Sequence, residues 1–165
     1  MKKILKNIVL IGMPGCGKTS IGEKLAKRLN LEFCDVDAYI EEKWKMTIPE
    51  IFKKGETYFR EIETEALEEI SKSYPKVIST GGGTVKNQRN IEILKQNGII
   101  IYTNRPVEEI VRDIDVETRP LLTQGREMVY QLYEERHHLY QKYSDIEIVN
   151  DGSEEDLIAK IVSFL

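Results

Sequence analysis

Four apolar residues, Ile8-Val9-Leu10-Ile11, stop at Gly12 and lead into Met13-Pro14-Gly15-Cys16-Gly17-Lys18-Thr19. This fits the phosphate-loop pattern G-x-x-x-x-G-K-[ST], set between a strand and a helix. Its glycines let the backbone curl so that successive N–H groups face one cavity, and the following helix turns its positive dipole end the same way. Lys18 brings a full charge to a nucleotide's β/γ-phosphates, and the Thr19 hydroxyl suits Mg²⁺. A chain built around such a loop is expected to be an α/β protein with a parallel sheet.

The pattern downstream agrees. Ile21, Leu25, Ala26 and Leu29 recur at helical spacing, and Glu32 to Asp37 reads as a short buried strand ending in two acids. A helix is expected from Ala38 to Met46. Thr47-Ile48-Pro49-Glu50 is a capping box that opens a short helix through Phe52. Glu56 to Ser73 reads as a longer helix, Val77 to Thr80 as a strand, and Gln88 to Gln96 as a helix stopped by Asn97-Gly98. Ile99 to Tyr102 is an unbroken apolar run, as in a strand covered on both faces. Arg105-Pro106 starts another helix. Residues 113–125 show no period and read as a long loop, functional or mobile. Glu127 to Tyr143 is helical, with Val129, Leu132, Tyr133 and Tyr140 in a stripe that Arg136 interrupts. Ile146 to Val149 is a last strand, and Ser153 caps a final helix. Strands alternating with helices imply right-handed crossovers, a parallel sheet between two helical layers, and ligands at the carboxyl ends of the strands.

Length and composition narrow the function. A chain of 165 residues is expected to form one domain, and 41% hydrophobic with 32% charged residues is ordinary for a globular protein. A net charge of −4 argues against a nucleic-acid binder. The apolar run after the basic N-terminus is too short for a signal peptide, and no stretch approaches a membrane span. Cys16 and Cys34 read as reduced thiols, so a cytoplasmic location is expected.

Several constellations carry chemistry. Asp35-Val36-Asp37 sets two carboxylates on the same side of a continuing strand, one for a metal's water shell and one for a substrate hydroxyl. Glycines 81–83 permit close approach of backbone to a ligand. Arg60, Arg119 and Arg136 stand where a solvated cation is not the obvious choice, and arginine can hold a carboxylate through two parallel hydrogen bonds. His137 and His138 are adjacent, lack metal-ligand spacing and read as structural. Trp44, Tyr39, Tyr130, Tyr133 and Tyr140 read as packing residues.

Together, GMPGCGKT (12–19), FCDVD (33–37), GETYFREIE (55–63), STGGG (79–83), TRPLL (118–122) and RHHLY (136–140) resemble the shikimate kinase family in order and spacing. The resemblance implies a P-loop fold like that of nucleoside monophosphate kinases: three layers, a five-stranded parallel sheet, a substrate-binding helical region at about 36–62 and a mobile lid at about 113–125. It implies MgATP-dependent phosphorylation of the 3-hydroxyl of shikimate, by a monomer. By the same resemblance, Gly15, Cys16, Gly17, Lys18, Thr19, Ser20, Arg112 and Arg119 bind ATP. Thr19 and, through water, Asp35 hold Mg²⁺. Asp37, Arg60, Gly82 and Arg136 bind shikimate. Asp37, Lys18 and Arg119 are the implied catalytic residues, with Arg112 against adenine and residues 150–154 forming the adenine-side loop. A gluconate kinase, a nucleoside monophosphate kinase and a non-catalytic ATP-sensing module stand as alternatives.

Overall fold

The β-branched and leucine side chains of Asn7–Ile11 (β1) are wholly buried, alternating between the two faces of a sheet. Each such burial stabilises by about 1.5–3 kcal/mol, so this strand must lie at the centre. It does: in the computed structural model, which describes residues 3–116 and 122–165, β1 pairs on both sides. The other strands are Glu32–Asp35 (β2), Lys76–Ser79 (β3), Gly98–Asn104 (β4) and Ile146–Val149 (β5). All pairs are parallel, in the order β2-β3-β1-β4-β5.

Eight α-helices and one 3₁₀ turn, Thr84–Lys86, complete the elements of the described residues: Lys18–Leu29 (α1), Val36–Trp44 (α2), Ile48–Phe52 (α3), Glu56–Ile70 (α4), Gln88–Gln96 (α5), Val107–Val116 (α6), Leu122–Tyr143 (α7) and Glu154–Phe164 (α8). Ile8, Leu10 and Ile101 pack under α1 and α8, through Ile21, Leu25, Leu157 and Ile161. Val9, Ile11, Ile100 and Tyr102 face the opposite layer, which includes Ile40, Ile51, Leu67, Leu94, Ile110 and Tyr140. Because α1 and α5 leave β1 and β3 toward opposite faces, a cleft opens between the carboxyl ends of these neighbouring strands, where such sheets bind ligands.

Four sequence expectations need correction. The strand at 32–37 ends at Asp35, and it is a half-buried edge strand rather than a buried one. Asp35 caps α2 by accepting a 3.0 Å hydrogen bond from the Ala38 N–H, so Val36 and Asp37 are already helical and the two acids do not continue a strand. A carboxylate that satisfies an orphan helical N–H outweighs the β propensity of the valine beside it. The stretch 113–125 is helical at both ends, since α6 runs to Val116 and α7 starts at Leu122. Tyr130 is not a core residue; it is 43% exposed on α7.

Other expectations hold closely. The Thr47 hydroxyl caps α3 through the Glu50 N–H at 3.2 Å, and the short helix ends at Phe52. α5 has the expected bounds. Both cysteines are free thiols. No helix among the described residues is long and apolar enough to cross a membrane.

Candidate active site

The loop after β1 has positive φ at Gly15 (83°) and Gly17 (87°), a conformation that a side chain would strain. Its carbonyls are gripped by side chains. Lys18 Nζ donates to Gly12 O at 2.7 Å and to Met13 O at 2.9 Å, Arg105 Nη1 donates to Gly15 O at 2.9 Å, and Asn150 Nδ2 donates to Cys16 O at 3.3 Å. Lys18 is thus buried against its own loop, next to Cys16 Sγ at 3.6 Å.

Two cavities adjoin this loop. One, of about 440 Å³, lies between Pro14, Gly15 and residues 17–20, the two acids and residues 79–82. The other, of about 370 Å³, lies on the far side, walled by Cys16, Gly17, Arg105, Arg112, Asn150, Gly152 and Glu154. The structure therefore brings Gly15, Lys18, Thr19, Ser20, Asp35, Asp37 and Gly82 together in the first cavity, with Gly17 also reaching the second. Cys16 and Arg112 belong to the second. Ser20 spends its hydroxyl on Glu154 Oε2 at 2.8 Å, tying α1 to α8. Arg119 lies outside the described residues.

Gly81 and Gly82 line the opposite wall with Gly83 beside them, and none of the three has positive φ, so what counts at each is the space around it. A Cβ on Gly81 would touch the Asp37 and Glu63 carboxylates at 3.5 and 3.6 Å. On Gly82 it would press into Pro14 Cδ at 2.6 Å and meet Arg136 Nη1 at 3.2 Å. On Gly83 it would fall inside the Arg60 guanidinium. Space is thus required at Gly82, for Pro14, and at Gly83, for Arg60, while a Cβ on Gly81 would make only ordinary contacts. The close approach anticipated for a ligand is made first by the protein's own residues.

The electrostatics follow from this crowding. Burial, then the neighbouring charges of Asp35 and Glu63, push the Asp37 carboxyl up from 3.8 to about 6, despite Lys18 nearby. Asp37 Oδ1 and Arg136 Nε are both buried without a hydrogen-bond partner. An unpartnered acceptor atom on one and an unpartnered donor atom on the other suit a ligand carrying both a hydroxyl and an anionic group. Thr19 Oγ1 donates to Asp35 Oδ1 at 3.2 Å, an oxygen-only pair.

Sequence reading missed Glu63 and Tyr140. Glu63 is wholly buried, accepting from Arg60 Nη1 at 3.0 Å and from Thr84 Oγ1 at 2.8 Å. Its spacing of three from Arg60 on one helix was the available signal. Tyr140, expected only to pack, also donates its hydroxyl to Gly82 O at 2.6 Å, and burial raises its pKa. His137 is structural as expected: it shares a 2.8 Å hydrogen bond with the Tyr102 hydroxyl and stacks on Tyr133.

The family model described as shikimate kinase matches residues 14–165. The chain belongs to the shikimate kinase family. A shikimate kinase from Clostridium botulinum (strain Alaska E43 / Type E3) is 52% identical over 158 residues, spanning 95% of this chain and 96% of that protein. Among solved structures, shikimate kinase from Acinetobacter baumannii in complex with shikimate superposes with a TM-score of 0.87 at 39% identity, covering 97% of this chain and 92% of that one. A gluconokinase from Sinorhizobium meliloti reaches a TM-score of 0.65 at 13% identity, covering 98% and 92%, a likeness of fold alone. The family is one of ATP-using kinases, and the alcohol-group phosphotransferase activity expected from the motifs is the family's own.

Proposed function

We infer that the chain transfers the γ-phosphoryl group of ATP to the 3-hydroxyl of shikimate, yielding shikimate 3-phosphate and ADP. The observation that carries this reading is a cavity floored by the phosphate loop and lined by Asp37 and Gly82, with one buried oxygen of Asp37 unpartnered and Arg136, its Nε likewise unpartnered, close against Gly82. The solved relative from Acinetobacter baumannii holds shikimate, which combines hydroxyls and a carboxylate.

In this reading Arg60 and Arg136 hold the substrate carboxylate by parallel charge-assisted hydrogen bonds, and the Gly82 N–H holds a hydroxyl. Ionised Asp37 takes the proton of the 3-hydroxyl as its oxygen bonds to Pγ and the bond from Pγ to the β-phosphate oxygen breaks. Lys18 exchanges loop carbonyls for the transferring phosphate oxygens. Thr19 and, through water, Asp35 fit Mg²⁺, since both offer only hard oxygen donors. When bound, the ion neutralises charge on the β/γ-phosphates. Arg119 brings further charge from a lid at 113–125, Arg112 packs on adenine, and residues 36–62 form the acceptor side of one kinase domain. We further read the chain as a cytoplasmic monomer acting on small molecules, without nucleic acid or membrane; the net charge of −4 supports the nucleic-acid part.

ADP release measured side by side with shikimate, gluconate and nucleoside monophosphates tests the reading. Turnover is expected with shikimate; preference for gluconate, or ATP binding without turnover on any acceptor, would overturn it. The glycine wall adds a sharper expectation. Gly83→Ala displaces a flexible arginine and should raise the shikimate KM about tenfold or more, with ATP little affected. Gly82→Ala presses on the rigid Pro14 ring of the phosphate loop and should raise both KM values. Steady-state kinetics on both variants would show the difference.

A further inference from the structure

The wall of the second cavity contains an arginine to which neither the motif set nor the family resemblance assigns a role. Arg105 stands at the end of β4, just before α6, and its guanidinium has three partners. Nη1 donates to Gly15 O at 2.9 Å, across 90 residues of sequence. Nη2 pairs with Asp113 Oδ2 at 2.6 Å, and Nε lies 3.7 Å from Glu109 Oε2.

Its loop partner is the informative one. Gly15 sits at φ 83°, and a Cβ there would lie 3.3 Å from Ile110 Cγ2, so α6 touches this residue by packing as well as through Arg105. The Gly15–Cys16 peptide is pinned at both ends, because the Cys16 N–H donates to Met13 O at 3.2 Å. Arg105 therefore holds one end of this peptide plane and the Met13 carbonyl the other, on the way to Gly17 and Lys18. Arg105 is set in turn by Asp113, one residue after Arg112 at the start of the segment read as the lid. An ion pair with one partner 55% exposed contributes little to stability, on the order of 0–1 kcal/mol, so stability alone is a weak reason for it.

We propose that Arg105 is a positioning residue for the phosphoryl donor. It holds the phosphate loop in its nucleotide-binding course and, through Asp113, ties that course to the carboxyl-terminal half of α6. Arginine suits the task because its planar fork can serve a carbonyl and a carboxylate in different directions at once. The proposal rests on the reading that residues 12–19 hold ATP.

The test compares wild type, Arg105→Ala, Asp113→Asn and the double variant. Binding of a fluorescent ADP analogue is measured first, then KM for ATP and for shikimate, kcat, and ligand-free Tm. Arg105→Ala should raise the ADP Kd and the ATP KM about tenfold or more, with shikimate KM within twofold and Tm within a few degrees. Asp113→Asn should give a smaller change of the same kind, and the double variant should be no worse than Arg105→Ala, since both act through one contact. An unchanged ATP KM in Arg105→Ala would overturn the proposal. So would equal losses in both KM values and Tm, or additive effects in the double variant. Wild type that fails to bind the ADP analogue would instead overturn the donor reading on which it rests.

Discussion

Replacing Asp37 by asparagine is expected to lower kcat roughly 10²–10⁴-fold, the usual worth of a positioned general base, while making the ligand-free protein more stable. The second half follows from the raised pKa. In the unfolded chain the carboxyl ionises near 3.8; in the fold it does so near 6. Its protonated form therefore contributes stability that is fully present below pH 3.8 and lost as pH rises through 6. Above that pH the ionised group costs the ligand-free fold about 3 kcal/mol. Asn at this position is neutral at every pH and escapes the cost. Urea unfolding should show Asp37→Asn more stable by about 1–3 kcal/mol at pH 7.5, with the gain fading toward pH 4. In wild type, kcat/KM for shikimate should fall as pH drops below about 6, following the free enzyme's base. A variant that is less stable at pH 7.5, or that turns over normally, would contradict this account of the site.

The second large effect is expected at Glu63, which contacts neither cavity's phosphate-loop wall and yet fixes the arginine opposite. Glu63→Ala removes the buried partner of Arg60 and strands the Thr84 hydroxyl. Breaking a buried pair from one side costs about 3–5 kcal/mol, reduced here to about 2–4 because Arg60 retains partial exposure and its 3.4 Å contacts with Glu56. The shikimate KM should rise about tenfold or more as the guanidinium loses its orientation. Glu63→Gln separates charge from shape. It keeps most of the packing and removes one of the negative charges that raise the Asp37 pKa, so the acid limb of kcat/KM should move to lower pH. If that limb stays in place while Glu63→Ala lowers the shikimate KM or leaves it unchanged, Glu63 has no part in preparing the acceptor side.

These two residues show where sequence reading succeeds and where it stops. Asp37 stood out in the sequence because two carboxylates two residues apart close a strand expected to end on the same rim as the phosphate loop. Its geometry was not legible. The valine between the acids favours a strand, and only the folded chain shows the Asp35 carboxylate spent on the Ala38 N–H, which starts α2 one residue before Asp37. Glu63 looked like one more acid on a helix rich in glutamate, Glu56–Ile70, and periodicity cannot tell which glutamate is buried. Arg60 on the same helix, and Arg136 within the stripe of α7, stood out because a cation beside apolar residues breaks a pattern. Which partners they have depends on helices far apart in the chain.

The phosphate loop shows the same division. Residues 12–19, read alone, specify the glycine conformations, the lysine and the helix that follows, because these are local properties of backbone sterics and of three or four neighbouring residues. The five-strand alternation, the caps at Thr47 and Ser153 and the helix Gln88–Gln96 belong to the same class. What the tertiary structure decided is contact between distant segments: glycines 81–83 seated against Asp37, Arg136 and Arg60, the Tyr140 hydroxyl on Gly82, and Arg105 on the Gly15 carbonyl. Hydrogen bonds and ion pairs reach only a few ångströms, so they act between residues that the crossover topology brings together. No spacing along the chain encodes that meeting.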